Sequence, residues 1–269
     1  MSDLLGGHRT DDCAKAPGLL NPEGKNLCYI NSIIQLFHAM KCTRDLFAGS
    51  FWPRLGPLTA QQFDDFMKKG GSIAMALRKM FHDMQYPHPL LSVEEFKKAL
   101  VSSQGFQYLN NNSQHDAYEL LVRLLETFST ALRSDTDDPI SDLFRSSTRK
   151  RLQCQSCKRT TEKTESSTTI DLPITNPDLE ECLSAFCEGG TVTRTCPYCS
   201  CTHSTEKLLY EQRPICIISL KRFRYEHGES AKIRDLVSFP LDGLDMSPMM
   251  IERHPNEITT HVYKLVAVR

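Results

Sequence analysis

Gly18-Leu19-Leu20-Asn21-Pro22-Glu23-Gly24-Lys25-Asn26-Leu27-Cys28-Tyr29-Ile30-Asn31-Ser32 sets one cysteine between a polar turn and the start of an apolar helix. Ile30, Ile33, Ile34 and Phe37 then recur at helical spacing, so Cys28 is expected at or just before a helix N-terminus. The unpaired amides and the positive end of the macrodipole at that place favour a thiolate, the nucleophilic form of the side chain. A lone cysteine is as readily a buried, inert packing residue. The rest of the chain has to decide between the two.

The chain has 269 residues, 40% of them hydrophobic and 24% charged, which is the composition of a globular protein with a sizeable core. Lys and Arg number 32 against 33 for Asp and Glu, so no net positive field draws it to nucleic acid or to an anionic membrane. No apolar run approaches bilayer length, and Met1 to Lys15 lacks the apolar centre of a signal peptide. A cytoplasmic or nuclear location is the expectation. The eleven cysteines would then stay reduced, for metal binding, catalysis or packing.

Residues 1–17 read as a polar lead-in. From Cys28 to about Leu132 the signals are helical. Ala117, Leu120, Leu121, Leu124, Phe128 and Leu132 line one face after Asp116, with Ser113 or Asn112 as the expected cap. Ile73, Leu77, Met80 and Phe81 mark a second amphipathic helix, and a third follows Ser92, with Glu95 placed to complete a capping box. The charged segment Ser134-Asp135-Thr136-Asp137-Asp138-Pro139 marks a boundary.

Beyond it the chain turns to short strands. One is expected over Ser166 to Ile174, stopped by Pro173, and another, buried on both faces, over Ile215 to Leu220. Leu179, Cys182, Leu183 and Phe186 keep helical spacing between them, and Cys182 and Cys187 read as packing residues. Helices first and strands later predict an α+β fold.

Cys154-Gln155-Ser156-Cys157 and Cys196-Pro197-Tyr198-Cys199 are two knuckles of the kind that give four thiolates to one tetrahedral zinc ion. Their wide separation predicts a long finger. Four protein ligands close the coordination sphere, so such a zinc is structural and activates no water. Cys201 and His203 lie close by and are read as surface residues of the same turn, with substitution for Cys199 left open.

Taken together, these residues resemble the ubiquitin-specific proteases, papain-like cysteine deubiquitinases. Gly18-Leu19 … Asn26-Leu27-Cys28-Tyr29-Ile30-Asn31-Ser32 … Gln35 looks like the family's cysteine box, and Gln114-His115-Asp116-Ala117-Tyr118-Glu119-Leu120-Leu121 like its glutamine box. The two knuckles follow, then Leu220-Lys221-Arg222-Phe223, then Val237 … Phe239-Pro240-Leu241-Asp242, then Tyr263-Lys264-Leu265-Val266-Ala267-Val268, all in family order across residues 18–269. The resemblance implies a helical thumb (18–140), zinc-bearing fingers (141–213) and a partial palm of strands (214–269). It implies that ubiquitin and ubiquitinated proteins are the partners, the fingers holding the ubiquitin body while its Leu-Arg-Gly-Gly tail runs between thumb and palm. By the same similarity Cys28 attacks the carbonyl of the last glycine to give a thioester that water releases. Asp116 and Gln114 would grip the tail. Asp116 also reads as a helix-start carboxylate, and both roles can hold together.

The chain departs from the family pattern in two places. Pro22-Glu23-Gly24-Lys25 lengthens the turn before Asn26 by two residues, so either Asn21 or Asn26 is the amide that faces the oxyanion; Asn21, which matches by block, is assigned, with the Cys28 backbone N–H as the other donor. Leu27 replaces the usual threonine. The sequence also stops at Arg269 before the family's histidine box, which leads us to expect a fragment, or an incomplete product, with little turnover of its own. His261 precedes Tyr263, where the family histidine follows that strand, so the role is not transferred; His115 reads as a tail-groove or surface residue. A thiol-dependent deubiquitinase is the main reading. A catalytically incomplete ubiquitin-binding scaffold is the alternative, and a zinc-ribbon nucleic-acid binder is disfavoured by charge.

Overall fold

The computed structural model describes residues 17–50, 57–86, 90–211, 213–226, 229–251 and 261–268. Nearly all of the expected lead-in, 1–17, lies outside them. Backbone contacts divide the chain into two units, one running to Pro139 and taking in Val266 onwards, the other spanning Ile140–Leu265. The break falls at the end of the charged segment Ser134–Pro139, and the second unit takes in both 141–213, expected as fingers, and most of 214–269, expected as palm.

The first unit is helical. Strand β1 (Gly18–Leu19) leads through a polar turn into α1 (Cys28–Ala39), which is followed by α2 (Lys41–Asp45), α3 (Ala60–Phe66) and α4 (Ser72–Asp83). Strand β2 (Leu90–Leu91) pairs in parallel with β1, and α5 (Glu94–Ser102) and α6 (Ala117–Leu132) complete the unit. The stripes read from periodicity are the buried faces: Ile30, Ile34, Leu77, Phe96, Leu100, Leu120, Leu124 and Phe128 are fully enclosed. Each such side chain contributes about 1.5–3 kcal/mol on burial. Phe47 packs edge-on against Phe128 at 4.9 Å and Phe81 at 6.1 Å, and Phe37 meets Phe128 at 6.1 Å, which joins α1, α4 and α6 in one core.

The helix caps differ from expectation. Asp116 caps α6, its Oδ1 accepting the Tyr118 amide at 2.7 Å, so neither Ser113 nor Asn112 holds that place. Ser92 does not form a capping box with Glu95: its hydroxyl accepts only the Glu94 amide at 3.3 Å, and Glu95 instead pairs with Lys79 at 2.9 Å. Val93 takes the cap position because its side chain is fully buried there. The capping box that does form, Thr59 with Gln62 on α3, carries the Thr-x-x-Gln signature that the sequence reading passed over.

In the second unit α7 (Pro139–Phe144) precedes β3 (Ser146–Cys154), β4 (Thr160–Ser167), β5 (Ile170–Pro173), α8 (Leu179–Glu188), β6 (Gly190–Thr193) and β7 (His203–Tyr210). The order in the antiparallel sheet is β4-β3-β7-β6. The single strand expected over Ser166–Ile174 is two: Ser167 Oγ takes the Thr169 amide and donates to the Thr169 carbonyl, closing a turn that ends β4 before β5 begins. β8 (Ile218–Lys221) pairs in parallel with β5 and is half-buried, shorter and more open than expected, because the Ile215 amide is committed to the Leu143 carbonyl. The hairpin of β9 (Phe223–Glu226) and β10 (Glu229–Lys232) and the pair β11 (Asp242–Asp245) and β12 (Val262–Lys264) follow. α8, capped by Asp178, packs Cys182, Leu183 and Cys187 against Ile170, Leu172, Tyr210 and three methionines, so both cysteines are packing residues.

Gly70 lies in a π-helical turn between α3 and α4, at φ 101°, where a Cβ would come 2.2 Å from the Thr127 Cγ2 on α6. Gly70→Ala is therefore expected to destabilise the helical unit by about 2–4 kcal/mol, through backbone strain and overpacking. Adding Thr127→Ser, which deletes the opposing methyl, should recover part of the loss in urea unfolding. Gly49→Ala, with nothing near its Cβ, should leave the midpoint almost unchanged.

Candidate active site and sulfur cluster

The two extra residues before Cys28 are absorbed by one tight turn. The Lys25 amide donates to the Pro22 carbonyl at 3.1 Å, and Gly24 sits at φ 73°, in the place where a type II turn takes glycine. Asn21 Oδ1 then accepts the Leu27 amide at 2.8 Å, satisfying a donor at the head of α1 that has no helical partner. Asn26, in the left-handed region at φ 49°, donates its Nδ2 to the Asn112 carbonyl at 2.6 Å and so ties the turn to the loop that leads into Gln114 and Asp116. Asn31 Nδ2 reaches the Leu20 carbonyl at 3.1 Å and Gln35 Nε2 the Pro17 carbonyl at 3.0 Å, fastening β1 along α1.

The outcome for Cys28 is selective exposure. It is the first residue of α1 and is exposed, while Leu27 before it and Tyr29 and Ile30 after it are buried. Among the described residues only Cys28 and Cys199 are exposed cysteines, and Cys199 belongs to the sulfur cluster. Gln114 and Asp116 are exposed, Asp116 also serving as the cap of α6.

Of the two places expected for His115, tail groove or surface, the open surface is not the one it takes. It is half-buried, its ring edge-on to Tyr29 at 5.1 Å and to Tyr108 at 5.6 Å, with Nε2 at 2.8 Å from Asn111 Oδ1. Nothing in the local sequence marked this contact; it arises because the turn before α6 faces the first turn of α1. In the other unit, His261 directly precedes β12, its carbonyl accepting the Met246 amide at 2.9 Å.

The four knuckle cysteines converge at the end of β3. Their sulfurs lie within 4.8 Å of one another, with Cys154 at 3.5 Å from Cys199 and Cys157 at 3.7 Å from Cys196. The two knuckles share one backbone design. Lys158 donates to the Cys154 carbonyl and Ser200 to the Cys196 carbonyl, and both Lys158 and Ser200 sit at φ 59°. Arg159 lies over the Tyr198 ring at 4.7 Å, bridging them. The amides of Cys157 and Ser156 bring the Cys154 thiol down to about 6, and those of Tyr198 and Cys199 lower Cys196 likewise. Cys157 is pushed up to about 11, because the Arg159 amide that favours its thiolate is outweighed by burial and by the sulfurs around it. Amides that favour sulfur anions, on four cysteines whose sulfurs lie within 4.8 Å of one another, suit a shared cation. Cys201 points its Sγ at the His203 carbonyl, and His203 bonds Thr202, so neither joins the cluster.

The family model described as ubiquitin carboxyl-terminal hydrolase matches residues 17–269. Two relatives from Schizosaccharomyces pombe show the same likeness. Probable ubiquitin carboxyl-terminal hydrolase 8 is 30% identical over 135 residues, 48% of this chain and 30% of that protein. Ubiquitin carboxyl-terminal hydrolase 5 is 24% identical over 224 residues, 80% of this chain and 19% of that protein. The chain thus spans less than a third of the length of either. A family match that runs through the turn before Cys28, the glutamine block and the sulfur cluster carries the conclusion that this chain belongs to the ubiquitin carboxyl-terminal hydrolase family.

Proposed function

We propose that this chain carries the nucleophile and tail-binding residues of a thiol-dependent deubiquitinase, which cleaves isopeptide or peptide bonds after the C-terminal glycine of ubiquitin. The observation that carries the reading is an exposed cysteine at the head of a buried helix, in a chain of this family. Cys28 Sγ adds to the glycine carbonyl, the C–N bond breaks as the amine takes up a proton, and the resulting thioester is hydrolysed. Of the two asparagines, Asn21 suits the oxyanion better. Its Oδ1 is held by the Leu27 amide, which leaves Nδ2 as the donor, whereas Asn26 spends its Nδ2 on Asn112. Asp116 and Gln114 are the tail contacts. No histidine among the described residues is assigned as the base.

The sulfur cluster is read as a structural zinc site held by Cys154, Cys157, Cys196 and Cys199. When bound, zinc would supply cross-linking alone, since four protein ligands leave no open position.

Ubiquitin carrying a C-terminal aldehyde tests the enzyme reading, because its adduct with a thiol has a tetrahedral oxygen. The aldehyde should bind far more tightly than plain ubiquitin, and Cys28→Ala should remove the difference. Asn21→Asp keeps the acceptor for Leu27 but loses the amide donor, and should weaken the aldehyde complex by about a hundredfold. Equal binding of both ubiquitins by the unaltered protein would instead establish the scaffold.

For the metal, a strong chelator or Cys196→Ser should open residues 146–210 to protease while α1 and α6 stay resistant, as read by mass spectrometry of the fragments. Unchanged protection of that segment would refute a zinc-dependent finger.

A further inference from the structure

Tyr29 follows the nucleophile directly and is almost fully buried, at 1% exposure, and among the described residues its hydroxyl has no hydrogen-bond partner. Burial, and then the neighbouring Tyr108 and Cys28, push its phenol up to about 12, so it stays neutral. The ring is held by its packing. One face of that packing is His115, edge-on at 5.1 Å. His115 is itself fixed on two sides. Nε2 meets Asn111 Oδ1, which also accepts the Ser113 amide at 2.9 Å, and its ring stands edge-on to Tyr108. Tyr108 is in turn covered by the Arg123 guanidinium at 5.2 Å, and Arg123 is held by Glu119 at 3.0 Å, both on α6. A chain of fixed contacts thus runs from α6 to the residue beside the nucleophile.

We propose that His115 is a positioning residue for Cys28: wedged between Tyr108 and Tyr29, its ring locks the Tyr29 side chain and with it the first turn of α1, which sets the direction of the Cys28 sulfur. Cys28 and Tyr29 are consecutive residues of the first turn of α1, so a shift of that turn that moves the Tyr29 ring also moves the Cys28 Cα–Cβ bond. The role needs a flat ring at position 115 and acts through Tyr29. It explains why a histidine in the glutamine block is half-buried although it touches no residue assigned to the tail. The inference rests on Cys28 being the reactive thiol.

The test follows the rate at which Cys28 is modified, read on the tryptic peptide Asn26–Lys41, which contains no other cysteine. Two reagents run in parallel on the metal-loaded protein: ubiquitin with a C-terminal vinyl electrophile, and a small haloacetamide. His115→Ala should slow both by about tenfold, since small displacements of a reacting group carry large rate penalties. His115→Phe, which keeps a ring without Nε2, should stay within about twofold of the parent, and thermal unfolding shows whether each variant keeps its fold. In a Tyr29→Leu background the further change to Ala at 115 should add nothing, as expected of two residues acting through one contact. The proposal is overturned by an unimpaired His115→Ala, by His115→Phe as slow as His115→Ala, by a full additional loss over Tyr29→Leu, or by a shifted pH midpoint of haloacetamide labelling, which would mean that His115 handles a proton. Should the parent react with the haloacetamide but not with the ubiquitin reagent, the deubiquitinase reading fails and the haloacetamide rates still decide the role of His115.

Discussion

The seating of α1 in the helical core is the constraint on which the rest of the first unit depends. Ile30, Ile33, Ile34 and Phe37 commit one face of the helix to burial, and Asn31 and Gln35 tie a second to the residues flanking β1. At the head of the helix Cys28 is left exposed. The Asn21 side chain closes that head by accepting the Leu27 amide, so the turn cannot fray and Cys28 cannot rotate inward. A thiol in this position is presented by a rigid element, at the end where backbone amides gather. Cys42, also in this unit, is half-buried, and burial raises its pKa.

The second unit solves a different problem. Its four-stranded sheet has β4 exposed along most of its length, so burial contributes little at that edge. Ion pairs across β3 and β4, such as Arg151 with Glu162 at 2.8 Å, are solvent-exposed and contribute little. What gathers the far end is the sulfur cluster, set at the point where β3 ends opposite Ser204 of β7. Nearer the other end, α8 and the methionines of 246–250 provide an apolar core of their own. The four cysteines could bind a metal ion at the far end of the sheet, while packing holds the other end.

The sequence is most informative where one physical rule acts alone. The helical stripes were legible because burial of a face imposes its period over several turns, and the sulfur cluster because thiolates at that spacing have few other uses in a reduced protein. Caps were not. The run Asn110 to Asp116 offers several short polar side chains, and the choice fell to Asp116 because the packing of Tyr29, Tyr108 and His115 fixes where the chain can turn. Ser92 lost its box to the burial of Val93 in the same way. The break between β4 and β5 turned on one hydroxyl, Ser167, within a run of serines and threonines that propensity cannot tell apart. The contact of His115 with Tyr29 left no local mark, since Tyr29 lies far away in the chain. Between Asn21 and Asn26 the sequence favoured Asn21 by block alone, and their different hydrogen bonds could not be read there.

The central claim is that the tail of ubiquitin ends at Cys28. Protection of that thiol from a small haloacetamide tests it most directly, measured with intact ubiquitin and with ubiquitin lacking its last two glycines. The account predicts that intact ubiquitin shields Cys28 while Cys42 and Cys201 label as before, and that the shortened form leaves Cys28 open. Equal shielding by both forms, or by neither, would contradict it.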